Sequence, residues 1–191
     1  VFVVQKTGPV TLTATSNQKN QAPSVRARFW RIPNDWTVRV ESIPNPQYTA
    51  GGPQALVDGR RGSIEWRTGA WQGYEGQDFV GIVDFGRVQT LTSAGAGFLQ
   101  DQRSWIFMPT EVVFETSTDG RSYVELGRAH HDIDDRQPDV LVEDLHVDFA
   151  PVAARYLRVH AVTYGTLPAW HLGAGGDAFV FIDEIFATTQ P

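Results

Sequence analysis

The sequence predicts an all-β fold, a β-sandwich or jelly roll. Helical periodicity is nearly absent, and short runs with period-2 alternation and β-branched residues recur along the whole chain. The 18 Gly and 11 Pro fall mostly between those runs, as turn punctuation does. The chain has 191 residues, enough for one large β domain or one domain with a short extension.

The candidate strands are 10–15, 24–31, 37–41, 79–85, 88–98, 111–118, 122–128, 140–149, 155–162 and 178–188. In the strand 111–118, Val112, Phe114 and Thr116 share one face. In 155–162, Leu157, Val159 and Ala161 point one way while Arg158 and His160 point the other, because successive side chains in a strand face opposite sides. Asp119-Gly120 reads as the turn of a hairpin, since Gly tolerates positive φ. Asp84-Phe85-Gly86 ends another strand, and 54–58 reads as one short helical turn. Two prolines make 42–48 extended and mark a boundary there. Residues 1–42 hold two or three strands, too few for a core of their own, and 43–191 suffice for a sandwich.

Composition excludes several function classes. The net charge is -6, with 16 Lys and Arg scattered among 22 Asp and Glu. Nucleic acids and anionic membranes need clustered basic residues, so neither is an expected partner. No stretch reaches the roughly 20 apolar residues of a membrane helix, so no membrane insertion is expected. The absence of cysteine removes disulfides, thiol catalysis and Cys-ligated zinc. The chain opens on Val1 with no signal-peptide pattern, which reads as a piece excised from a longer polypeptide or a mature N-terminus.

The order of the motifs is more specific than any one of them. Ala55-Leu56-Val57-Asp58-Gly59, then Trp66, then Val83-Asp84-Phe85-Gly86 are followed by the segment 109–120, by Ala154-Arg155-Tyr156-Leu157-Arg158-Val159 and by Ile182-Asp183-Glu184-Ile185. In this order, residues 47–188 resemble the coagulation factor V/VIII type C, or discoidin-like, domains, which include the family 32 carbohydrate-binding modules. A narrower likeness runs through Tyr48-Thr49-Ala50-Gly51-Gly52, the segments 71–74, 98–101 and 105–109, and the segment 170–176. These look like C-terminal modules of bacterial family 20 glycoside hydrolases, the hexosaminidases, and residues 9–31 look like the tail of the small β domain that often precedes the module there. The resemblance implies a discoidin-like jelly-roll β-sandwich with a short N-terminal β extension. It also implies sugar binding by loops at one end and a structural calcium.

Sugars present apolar C–H faces and polar rims, so a site needs an aromatic platform and a few directed polar groups in a reachable loop. Trp71, Gln72 and Tyr74 lie in one candidate loop, Gln100, Asp101, Arg103 and Trp105 in a second, and Trp170 and His171 in a third. Trp71 or Trp105 would stack on the ring, with Gln72, Gln100, Asp101 and His171 choosing among sugars. The same aromatic residues can instead plug the end of the sandwich or meet a catalytic domain. Trp66 reads as core. For calcium, which takes six to eight oxygen ligands, the resemblance nominates Asp58, Ser63 and Glu184. Arg60 and Arg61 depart from the family pattern, standing where Asn or Asp is common, and two cations disfavour a nearby dication. The segment 130–135, with His130 and His131, reads as a solvated acidic loop rather than a transition-metal site.

Catalysis is not expected in this piece. Asp183 and Glu184 are strand neighbours facing opposite sides and do not flank one glycosidic bond. No phosphate-binding loop and no Gly-x-Ser-x-Gly elbow occurs. The expected protein is a monomeric accessory domain of a glycoside hydrolase that is secreted, periplasmic or displayed on the cell surface. Its expected partners are a glycan of galactose or N-acetylhexosamine type and the parent catalytic domain. The alternatives are a structural module that packs on that domain without ligand, and a cell-surface adhesion domain.

Overall fold

The computed structural model describes residues 8–12, 25–29 and 34–190, with side chains from 34 to 189. The other parts of the expected strands 10–15 and 24–31, and the rest of the 1–42 extension, lie outside the described residues. Strands β1 (Gly8–Leu12) and β2 (Val25–Phe29) pair antiparallel as a two-stranded sheet.

The seven remaining strands are β3 (Thr37–Val40), β4 (Gln72–Glu75), β5 (Phe79–Gln100), β6 (Glu111–Ser117), β7 (Val124–Ala129), β8 (Leu141–Val162) and β9 (Phe179–Gln190). All their pairings are antiparallel, in the order β4-β9-β5-β8-β6-β7, with β3 also on β5. The sandwich arises because β5 and β8 pass through both layers. Their register breaks between Asp84 and Gln89 and again between Leu91 and Ser93. Before the breaks, β5 pairs with β3 and with the second half of β8, which carries on to β6 and β7. After them, β5 pairs with β9 and the first half of β8, and β4 closes the far side of β9.

The core fills the space between these layers. Phe79, Val83, Phe114, Leu157 and Val159 from the first layer meet Ala96, Phe98, Leu145, Val180 and Ile182 from the second, all nearly or fully buried. Each large side chain so buried contributes about 1.5–3 kcal/mol. The expected alternation holds in β8, where Leu157, Val159 and Ala161 are buried together while Arg158 and His160 are half-buried on the other face. In β6, Val112, Phe114 and Thr116 are buried together as expected, but Val113 and Ser117 on the opposite face are buried too.

Differences from the expected elements have local causes. The expected strands 79–85 and 88–98 are one strand with a bend at the Asp84-Phe85-Gly86 signal, and 140–149 and 155–162 are likewise one. Residues 72–75, expected as a loop, form β4, because their backbone pairs with β9. β3, expected within the extension, is hydrogen-bonded to β5, which moves the join with the sandwich upstream of Thr37. The helical turn expected at 54–58 is a short 3-10 turn, Pro53–Val57. Asp119-Gly120 turns the β6–β7 hairpin, with Gly120 at φ 72° and Asp119 Oδ1 accepting the N–H groups of Arg121 and Ser122.

Candidate functional site

β5, β8 and β9 bring the segments 101–110, 130–140 and 163–178 to one end of the sandwich. The segment 101–110 is tied to the start of β9, where the segment 163–178 ends, by backbone bonds, with Phe107 N–H donating to Phe179 O and Phe179 N–H to Trp105 O. Here the structure separates the sequence-predicted residues into two groups.

The first group lies inside. Trp71 is 1% exposed and donates its indole N–H to Ser63 O at 3.0 Å. It belongs to a second apolar cluster with Trp66, Leu99, Ile106 and Phe181, so the expected stacking platform is a core residue. Tyr74 is buried against Phe79, and its hydroxyl donates to Gln72 Oε1 at 2.7 Å. Gln72 also donates to Gly52 O, so both ends of its amide are engaged. Gln100 bridges two loops, donating to Asp134 O and accepting from Met108 N–H. Asp101 accepts from the Trp66 indole and the Ser104 hydroxyl. His171 Nδ1 accepts from Gly173 N–H, which leaves its proton on Nε2 to donate to Gln102 O at 2.6 Å. The groups expected to choose among sugars are therefore committed to the scaffold. Irregular loops folded over a sandwich end bring backbone polar groups inside, and buried polar groups need partners.

The second group faces solvent. Trp105 is 40% and Trp170 37% exposed, and Arg103 is exposed beside Trp105. Two residues not singled out in the sequence join them. Arg136 lies over the Trp170 ring at 4.9 Å, and the Leu172 side chain is fully exposed. Arg136 sits within an acidic stretch, and only the fold carries that stretch to Trp170.

Trp105 is held in an unusual way. Its backbone is left-handed, φ 68° and ψ 14°, a conformation that bulky residues rarely adopt. Gln102 O accepts both Trp105 N–H at 3.1 Å and the His171 Nε2 proton, so the two loops lock this turn from both sides. The indole lies against Gly173, where a Cβ would come within 2.7 Å of the ring. Such strain persists where its surroundings enforce it, as at ligand sites.

A groove of about 360 Å³ lies beside Tyr48, Ala50, Trp66 and Arg67, with the Arg67 guanidinium 3.9 Å above the Trp66 ring.

Of the residues nominated for a metal, Glu184 stands in β9, five residues on from the Phe179 whose N–H donates to Trp105 O. Glu184 is 5% exposed, its Oε1 accepts Gly59 N–H at 3.0 Å, and its buried Oε2 has no partner. Burial pushes its carboxyl up to about 8, with the nearby Asp58 charge adding to the rise. A buried, unpartnered carboxylate oxygen next to a second carboxylate fits a cation. Asp58 Oδ1 accepts Arg60 N–H, and Ser63 is exposed with its carbonyl turned to Trp71. Among the described residues no cluster of three or more His, Asp or Glu holds a metal site, so carbonyl oxygens would complete the shell. Arg61 turns instead to Asp183 at 2.9 Å and to Asp144 in a bidentate pair. The space it needs exists because residue 97 is Gly, where a Cβ would overlap Asp183 and Arg61.

Antiparallel strands in two layers, joined by β5 and β8 and carrying exposed aromatic residues on end loops, define a discoidin-type β-sandwich. The chain belongs to the F5/8 type C domain family, whose model matches residues 38–174. No curated protein sequence matches it. Among solved structures it is similar to CBM32-3 from a family 31 glycoside hydrolase of Clostridium perfringens, with 15% identity and a TM-score of 0.51 over 80% of this chain and 88% of that one. It is also similar to CpGH89CBM32-5 of the same organism, solved with GalNAc-beta-1,3-galactose, with 12% identity and a TM-score of 0.51 over 80% and 94%. A third is the family 32 module of C. perfringens NanJ, solved with galactose, with 14% identity and a TM-score of 0.51 over 80% and 92%. At these identities the likeness is one of fold. Among the described residues no helix is long and apolar enough to cross a membrane.

Proposed function

We propose that this domain is a non-catalytic carbohydrate-binding module that holds a secreted or surface-displayed bacterial glycoside hydrolase against its glycan. The observation that carries the reading is the pair of half-exposed indoles, Trp105 and Trp170, on end loops that a strained and doubly bonded turn holds rigid. A rigid aromatic platform stacks on a sugar face with little ordering cost. Galactose- or N-acetylhexosamine-containing glycans are the ligand class, in keeping with the sugars named for the two Clostridium modules of the same fold. The support for a family 20 hexosaminidase as parent enzyme is the run of motifs through residues 48–52, 71–74, 98–101, 105–109 and 170–176. A structural calcium at Glu184 and Asp58 belongs to the same proposal, supported by the orphaned Oε2. Binding by one such site is weak, and tethering would act by raising local substrate concentration.

The test is a glycan array of the domain with and without calcium, followed by calorimetry of Trp105→Ala and Trp170→Ala. Loss of stacking should weaken binding about tenfold or more. A folded, calcium-loaded domain that binds no glycan at millimolar concentration would favour a second reading, packing against the catalytic domain. The fully exposed Leu172 beside Trp170 favours that one, since such an apolar patch suits an interface.

A further inference from the structure

The outer face of the first layer carries a second candidate site, remote from the aromatic loops. Register sets it out row by row. Thr37 pairs with Asp84, Asp84 with Tyr156 and Tyr156 with Ser117, while Arg39 pairs with Ile82, Ile82 with Arg158 and Arg158 with Glu115. Val38, Val83 and Leu157 alternate with these residues and point into the core, so the two rows stand on the outer face. The β6–β7 hairpin turn adds a wall through Arg121 and Tyr123. Between them lies a groove of about 380 Å³.

The groove has an aromatic lining and a cationic rim. Tyr123 and Tyr156 are half-buried, with Arg158 4.4 Å above the Tyr123 ring and Arg155 5.1 Å above that of Tyr156. Asp84 is bound by Arg155 in two bonds of 2.9 and 3.0 Å and accepts Gly86 N–H, which holds its carboxyl below the usual range. Asp119 is held at about 2 by the N–H groups of Ser122 and Arg121 and the Ser117 hydroxyl. Glu115 is bidentate with Arg158, and Glu41 pairs with Arg39 at 2.6 Å. Each carboxylate around the groove thus has its own fixed donors. Among the described residues, the guanidinium of exposed Arg121 makes no hydrogen bond or ion pair, and Arg39 spends one nitrogen on Glu41.

We propose that this groove binds a sugar unit bearing a carboxylate or sulfate, from an anionic glycan. The tyrosines meet the C–H face of the ring, and Arg121 with Arg39 takes the anion, for which the planar guanidinium fork is suited. The groove lies at the end of β6 where Ser117 pairs with Tyr156, whereas the loops with Trp105 lie beyond the other end, where Glu111 pairs with Val162. Seven strand residues separate the two ends, on the order of 20 Å. Two such sites would let one domain hold two stretches of a polysaccharide at once. This inference stands independently of glycan binding at the Trp105 end.

The experiment is an NMR titration of the whole chain with oligogalacturonate, with a sulfated galactose disaccharide and with neutral galactobiose. The expected result is amide shifts in β3, at 117–123 and around Tyr156 with one or both anionic sugars. Arg121→Ala should weaken them roughly two- to fivefold and Arg39→Ala/Arg121→Ala about tenfold, the range for exposed charge contacts. Binding should also fall with added salt. Trp105→Ala should leave these shifts unchanged. Equal response to the neutral sugar, shifts confined to the Trp105 loops, or undiminished binding by the folded double variant would each overturn the proposal.

Discussion

Replacing Trp105 by Gly and by Ala separates the cost of its backbone from the value of its side chain. A Trp side chain buries roughly 200 Å² when enclosed. With Trp105 40% exposed, about 120 Å² is at stake, or about 3 kcal/mol at 25 cal/mol per Å². Both variants lose that contribution. They differ at the backbone, because φ 68° costs a residue with a Cβ about 1–2 kcal/mol and costs Gly almost nothing. Against this, Gly gives up about 0.5–1 kcal/mol of chain entropy relative to Ala. The balance favours Gly by about 0.5–1 kcal/mol, the reverse of the usual order within regular structure. For a domain of this size that is about 1–4 °C in Tm. Calorimetric melting should rank wild type above Trp105→Gly and Trp105→Ala lowest, with glycan binding weakened about tenfold or more in both variants. An Ala variant as stable as the Gly variant would mean that the turn is not strained in solution, and the rigid-platform argument would fall with it.

Three further outcomes follow from the same geometry. Gly173→Ala places a methyl within 2.7 Å of the Trp105 ring, so the domain should stay folded by circular dichroism while glycan affinity drops severalfold as the indole is displaced. Glu184, at about 8 in the native state against about 4.3 unfolded, keeps its proton where the unfolded chain has lost it. Its contribution is full below pH 4.3 and is lost as pH rises toward 8, a span of about 4–5 kcal/mol at 1.36 per unit. In EDTA-treated protein, Tm should therefore fall over that range, and Glu184→Gln should flatten the profile. If Glu184 is a calcium ligand, millimolar calcium should raise Tm most at pH 8, where the carboxylate is freest to ionise, and an unchanged Tm would argue against the ion.

Much of the architecture was legible because strands with one buried face alternate visibly. Val112-Phe114-Thr116 and Leu157-Val159-Ala161 fall on the core side as read. β4 was not legible, since Gln72-Gly73-Tyr74-Glu75 has neither alternation nor β-branching and becomes a strand by pairing with β9. The site was legible only in part. Trp105, Trp170 and Arg103 reach solvent, whereas Trp71, Tyr74, Gln72, Gln100, Asp101 and His171 serve the scaffold.

By itself, the sequence determined the all-β class, the hairpin at Asp119-Gly120 and the family, through the order of its motifs. These depend on local alternation, turn chemistry and spacing, all written along the chain. Only the tertiary structure decided which aromatics are core and which are surface, because Trp71 and Trp105 differ in what packs over them, Trp71 lying under Trp66, Leu99, Ile106 and Phe181 while Trp105 stays 40% exposed. It also brought Arg136 onto Trp170, Arg61 between Asp144 and Asp183, and Arg39 and Arg121 to one groove. Those meetings join residues distant in sequence through strand register, which the spacing of side chains along a single strand does not encode.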